Sequence, residues 1–337
     1  VLRRRLAARF LLAAAFVVTA SGCDTSGPEG PATVEVRVPA TFAPLPVPPQ
    51  NPLRADRVAL GERLFFDPIL SRDRSVSCGS CHFPDLAFSD GRTRSVGVEG
   101  RTGPRNAPSL LNVAYRKSLF WDGGALFLES QALVPLEDPH EMDLAPEDAL
   151  DRLRRHPDYP ALFADAFDGE GPSIQTLTYA LAAYQRTLVS APTAFDRHLA
   201  GDTTALAAEA RAGLALFQTH CASCHVGAHL TSDSFENNGA AVTDADPGRE
   251  RITFSDADRG TFRVPSLRAV ARTAPYFHDG RFQTLEAVVA HYDRGGDATP
   301  GQSPRVRPLR LAPAERDALV AFLRTLDDAP APVDRSF

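Results

Sequence analysis

Apolar positions recur at helical spacing along most of this chain. Between Ala55 and Phe66, Val58, Leu60, Leu64 and Phe65 predict a helix, with Gly61 where another element comes close. The trio Gly61, Leu64 and Phe65 returns as Gly213, Leu216 and Phe217. Later, Leu285, Val288, Val289 and Tyr292 keep the i, i+3, i+4, i+7 rhythm of a buried helical stripe. Tyr292 points inward with that stripe, whereas His291 is turned about 100° from it. No convincing run alternates with period two, so the pattern predicts an all-α protein.

A longer repeat divides the chain. Residues 108–129 match 265–286 at a constant offset of 157, without a gap, and 10 of the 22 positions are identical. The matched phrases include Pro108-Ser109-Leu110 with Pro265-Ser266-Leu267, and Phe120-Trp121-Asp122-Gly123 with Phe277-His278-Asp279-Gly280. Two copies of one helical unit follow. Their join is expected between Ser190 and Asp202, where Pro192 and Gly201 interrupt the helical pattern. The expected layout is a leader over 1–23, a proline-rich tether over 24–52, and folded units over 53–200 and 201–328.

The leader reads as an export signal. Arg3, Arg4, Arg5 and Arg9 precede a short apolar run that is not long enough to span a bilayer. Ala20-Ser21-Gly22-Cys23 is similar to a bacterial lipobox, which makes Cys23 a candidate lipidation site and membrane anchor. Seven prolines between Asp24 and Asn51 predict an extended, partly disordered tether. Net charge is −6 over 337 residues, with no basic stretch after the N-terminus, which argues against a nucleic-acid binder.

Chemistry enters with the cysteines. Cys78-Gly79-Ser80-Cys81-His82 and Cys221-Ala222-Ser223-Cys224-His225 are two copies of the attachment pattern for a c-type haem. The thiols add to the haem vinyl groups, and His82 and His225 become proximal iron ligands. A zinc site would need both pairs on one metal, yet each pair carries its own His. An iron whose other side is filled carries electrons, and one whose other side is open activates small molecules. The only methionine, Met142, lies in the first unit, so the second haem has no Met of its own. Tyr292 is the favoured distal ligand there, with His291 as the alternative. In the first unit Glu141 is a candidate acid–base group, because a carboxylate can take and return a proton during peroxide cleavage. Spacing alone favours a solvated loop acid for Glu141 and a core residue for Trp121, the single Trp.

With these residues in view, the chain resembles the bacterial di-haem cytochrome c peroxidase family, in its MauG-like branch. The resemblance runs from Asn51 to Leu326 and rests on both pentads, Arg105-Asn106-Ala107-Pro108, the Trp121 phrase, Leu128 to Ala132, Glu141-Met142 and Thr273 to Gly280. It implies two tandem cytochrome c-like domains and a peroxidase acting on hydrogen peroxide at the first haem. Glu141 would be the acid–base, Gln131 its hydrogen-bonding neighbour, and Trp121 the relay between haems. Asn106, with the carbonyls of Thr273 and Pro275, would hold a calcium ion, an oxygen-only set that suits it. Electrons would come from a small cytochrome c or cupredoxin, or from a residue of a periplasmic partner protein. Two departures from many relatives stand out: Val98 occupies the place of a loop His that plugs the first iron, and Tyr292 that of a distal Met. The first leaves the first haem open, and both point to the MauG-like branch. The rival reading is a non-enzymatic di-haem electron carrier with both irons six-coordinate, with His140 as one possible extra ligand.

Overall fold

The computed structural model describes residues 32–240 and 246–327. The leader, Cys23 and the first part of the expected tether lie outside the described residues. Among the described residues the chain is helical and irregular, with one two-stranded antiparallel pair, Phe235–Glu236 on Phe262–Arg263. No described helix is long and apolar enough to cross a membrane.

Each half is built on a pair of helices in glycine-mediated contact. The Ala55–Phe66 helix lies on Ile174–Arg186, and Ala208–His220 lies on Pro313–Arg324. A Cβ on Gly61 would sit 1.9 Å from the carbonyl oxygen of Ala180, and one on Gly213 would sit 1.9 Å from that of Ala318. Only glycine permits so close an approach, and both halves use it. Local signals set the helix starts: Ser173 Oγ accepts from the Thr176 amide, and Pro313 opens the last helix. Leu64, Phe65 and Phe163 lie in the first core, and Phe217, Phe322 and Leu326 in the second.

The repeat is preserved in backbone detail. Phe120 and Phe277 both take positive φ, at 65° and 74°, as do Asn112 and Ala269, at 60° and 56°. The halves then exchange equivalent hydrogen bonds. Asn106 N–H donates to the His278 carbonyl at 2.7 Å, and Arg263 N–H donates to the Trp121 carbonyl at 2.7 Å. The offset of 157 carries 106 onto 263 and 121 onto 278, so the two halves meet about an approximate twofold axis.

One expectation needs correction. From residue 32 onward the proline-rich segment is extended but packed against both halves. Val34 N–H bonds the Leu53 carbonyl at 2.8 Å, and Asn51 is fully buried, donating to the Tyr179 carbonyl. Phe42 inserts among Tyr115, His229 and Arg268, while Thr41 Oγ1 donates to Asp196 at 2.8 Å. Proline content signalled an extended backbone correctly, but the apolar and polar anchors between the prolines find partners far away in sequence.

Candidate di-haem active site

Both Cys–His motifs open onto one continuous cavity of about 610 Å³, lined by Cys78, Cys81, His82, Cys221, Cys224 and His225. His82 Nδ1 lies 2.7 Å from the Phe88 carbonyl, and His225 Nδ1 lies 3.0 Å from that of Leu230. A carbonyl only accepts, so Nδ1 carries the proton in each ring and the Nε2 lone pair is free for a metal. Burial lowers both imidazoles from their usual value and keeps them neutral. Phe88 and Leu230 reach these positions with positive φ, at 59° and 51°, which turns the loop tightly back on its His. Paired thiols, an oriented imidazole and an adjoining apolar cavity, twice over, fit two c-type haems.

On the first side, Glu141, Gln131, His140 and Trp121 all line the cavity. Glu141 is exposed as a residue, but desolvation by the protein around its carboxyl pushes it up to about 7, and Asp138 adds repulsion. His140 is exposed and sits 3.3 Å from Asp138 Oδ1. Trp121 is oriented at both ends: its Nε1–H donates to the Asn106 carbonyl at 2.9 Å, and its own carbonyl takes the Arg263 amide. Val98 is fully buried, and its N–H donates to the Glu141 carbonyl at 2.9 Å. The loop that carries Val98 therefore braces the Glu141 backbone.

Gly97 makes that brace possible. A Cβ there would stand 2.1 Å from the His140 carbonyl oxygen and 2.5 Å from that of Glu141. Gly97→Ala is expected to displace the Glu141 carboxyl and slow any reaction that uses it by roughly 10-fold or more, since a misplacement near 1 Å can cost 10²-fold. Haem content and midpoint potentials should stay near wild type. Unchanged single-turnover rates would show that the brace does not position the acid.

On the second side Tyr292 lines the cavity beside Leu285, Val288 and Val289. Burial raises its phenol above the ordinary value, while a hydrogen bond from the Asn238 side chain opposes this. His291, the alternative ligand, is fully buried and committed elsewhere. Its Nε2 lies 2.9 Å from the Asn238 carbonyl and its Nδ1 accepts from Arg294 at 3.0 Å. Of the two, Tyr292 lines the haem cavity and His291 does not. Asn238 escaped the sequence reading because it is remote in sequence and carries no motif. Asn106, Thr273 and Pro275 line the same cavity, and Asn106 donates its Nδ2 to the Arg92 carbonyl at 2.6 Å. His278 is buried and stacks on Phe262 with ring centroids 3.7 Å apart.

Two haem-attachment motifs on paired helical halves, with a carboxylate and an indole on the shared cavity wall, define a di-haem oxidoreductase. Residues 55–204 match the di-haem cytochrome c peroxidase family, and residues 210–327 match cytochrome c. The methylamine utilization protein MauG of Methylorubrum extorquens is 42% identical over 324 residues, covering 94% of this chain and 92% of that protein. The cytochrome-c peroxidase IdrP1 of Denitromonas iodatirespirans is 36% identical, covering 94% and 92%. The crystal structure of a MauG-like protein associated with microbial copper homeostasis superposes with a TM-score of 0.83 at 33% identity, covering 89% of this chain and 98% of that one. The chain belongs to the di-haem cytochrome c peroxidase family. It is an enzyme with two c-type haems in two tandem cytochrome c-like domains, and a di-haem peroxidase by function.

Proposed function

We propose that this protein reduces hydrogen peroxide at the His82 haem, with Glu141 as proton shuttle and the second haem, held by His225 and Tyr292, as electron store. The observation that carries this reading is a carboxylate, Glu141, on the wall of the same cavity as Cys78, Cys81 and His82. Bound, the haems supply the redox chemistry that breaks the O–O bond. Glu141 takes the proton from one peroxide oxygen and returns it to the other, so that water leaves. Gln131 hydrogen-bonds the substrate in the same pocket. Trp121 relays charge between the halves, and its two fixed ends keep that path rigid.

A calcium ion at Asn106, Thr273 and Pro275 is part of the reading. Asn106 uses its Nδ2 on Arg92, which leaves Oδ1 for an ion. The neighbouring Asp90 is supporting: its Oδ1 accepts from Arg92 N–H, while its buried Oδ2 has no partner. Electrons come from a small cytochrome c or cupredoxin, or from a residue of a partner protein. The likeness to MauG and to the copper-associated MauG-like structure supports the latter. Haem attachment and the basic leader support an extracytoplasmic, periplasmic location, with Cys23 as the lipid anchor.

The test is an EPR spectrum of the ferric protein before and after peroxide. One high-spin and one low-spin haem, with the high-spin signal lost on adding peroxide, is the expected result. Two low-spin haems indifferent to peroxide would overturn the reading in favour of an electron carrier. Tyr292→Phe is expected to convert the low-spin signal to high-spin and to raise that haem's potential, because an anionic oxygen ligand favours ferric iron. A low-spin signal that survives the substitution would remove Tyr292 from the ligand set.

A further inference from the structure

Arg116, Asp233 and Arg263 form a buried charge cluster that the peroxidase chemistry leaves unused. Their side chains are 5%, 8% and 8% exposed. Both guanidiniums turn to the same oxygen, Asp233 Oδ1, at 3.4 and 3.3 Å. Charge-assisted pairs are normally about 2.7–2.9 Å long, as in Arg105–Asp246 at 2.7 Å and Arg268–Asp196 at 2.5 Å. The cluster is therefore loosely paired as well as unbalanced. Among the described residues, Asp233 is the one carboxylate paired with either arginine, so one positive charge lacks a counter-ion. Burial lowers both guanidiniums, Arg116 to about 10. A buried unmatched charge costs several kcal/mol, and a bound anion would remove that cost.

The position of the cluster identifies the anion. Arg116 and Arg263 line the haem cavity. Arg263 spends Nε on the Phe120 carbonyl and Nη1 on Asp233, which leaves Nη2. Asp233 stands eight residues after His225, three beyond the carbonyl that orients that ring. Thr231 Oγ1 ties the same loop to the Val264 carbonyl, next to Arg263, at 2.5 Å. The approximate twofold axis adds an independent observation. Arg263 and Arg116 correspond to Asn106 and Thr273 at the offset of 157, and Asp233 corresponds to Asp90 at the pentad offset of 143, each lying eight residues after its haem His. In the first half no guanidinium of the described residues pairs with Asp90, whose Oδ2 is buried without a partner. One half thus carries two guanidiniums where the other carries an amide, a hydroxyl and a carboxylate oxygen without a partner.

We propose that Arg263, backed by Arg116, binds a propionate carboxylate of the second haem, the one attached at Cys221 and Cys224. The inference rests on the two-haem content of the cavity, so haem stoichiometry is read first, by pyridine haemochrome assay on the full chain. Arg263→Gln, Arg263→Lys and Asp233→Asn are then compared by resonance Raman on the propionate bending band and by spectroelectrochemical titration of both haems. Arg263→Gln is expected to shift the band and lower one midpoint potential, because a nearby positive charge favours reduced iron. Arg263→Lys should recover most of both, and Asp233→Asn should raise the same potential. An unmoved propionate band in Arg263→Gln with both haems bound would overturn the contact, even if a potential moved. Should Arg263→Gln accumulate without haem, Arg116→Gln, which leaves the Arg263 bond to Phe120 in place, carries the test. It should lower the same potential, and unchanged potentials there, with both haems bound, would overturn the proposal.

Discussion

Replacing Glu141 by Gln is expected to slow the reaction with peroxide by about 10²- to 10⁴-fold, the usual worth of a positioned acid–base group. Gln keeps the size and some hydrogen bonding of the side chain but can neither take nor return a proton. Both midpoint potentials should stay where they are, because the haem ligands are untouched. The pH profile makes the assignment sharper. Desolvation holds the wild-type carboxyl near 7 instead of the ordinary carboxylate range. The ionised form is the one that accepts the first proton. The rate should therefore rise with pH through about 7 and level off above it, falling roughly tenfold per unit below. In Glu141→Gln that inflection disappears. Stopped-flow absorbance across the range decides it, and a wild-type rate or an unmoved inflection in the variant would remove Glu141 from the mechanism.

Arg268→Leu is expected to give the largest loss of stability, about 3–5 kcal/mol, the cost of leaving a buried carboxylate without its partner. Arg268 meets Asp196 in a two-pronged pair at 2.5 and 2.6 Å, with side-chain exposures of 1% and 5%. Burial alone would raise the Asp196 carboxyl, but the Arg268 guanidinium and the Thr193 amide hold it down to about 2. A depressed carboxyl adds stability above its unfolded value near 3.9, and that stability is lost as pH falls toward 2. Arg268 also covers the Phe42 ring at 4.6 Å, so the same substitution loosens the N-terminal segment. Calorimetry at neutral pH should show a fall in Tm of roughly 5–8 °C for a chain of this size. A Tm within a degree of wild type would show that the pair is dispensable. Arg268→Lys, which keeps the charge but not the fork, should fall between the two.

Several parts of this molecule were readable in order along the chain because the physics behind them is local. The haem pentads place two thiols and an imidazole within one turn of backbone, and no distant residue is needed to recognise them. The Ala55–Phe66 helix was legible from its apolar spacing, and Gly61 from its place among large residues. The offset of 157 disclosed the duplication, and its conserved glycine and phenylalanine positions recur as the same positive-φ turns. Helical periodicity placed Tyr292 on the cavity wall correctly, but His291, expected to turn aside, is fully buried and bonded to Asn238 and Arg294 instead.

Other parts depended on residues far apart in sequence. A segment with seven prolines reads as a free tether, yet Phe42 is buried because Tyr115, His229 and Arg268 converge on it. Asn238 carries no motif, and its place beside Tyr292 arises only when residues 238 and 292 are folded together. The raised Glu141 carboxyl depends on desolvation by the cavity wall around it, which only the folded chain assembles.

The sequence by itself determined that the chain carries two c-type haems in two helical repeats. Covalent attachment and helical periodicity are encoded in neighbouring residues, and a repeat needs only comparison with itself. Tertiary structure alone decided that both motifs share one cavity and that Trp121, pinned by Asn106 within its own half, is tied to the other half through Arg263. It alone also decided that the N-terminal segment binds both halves and that a net positive charge lies beside the second haem loop. Desolvation, charge balance and the meeting of two halves act through space, and spacing along the chain carries no record of them.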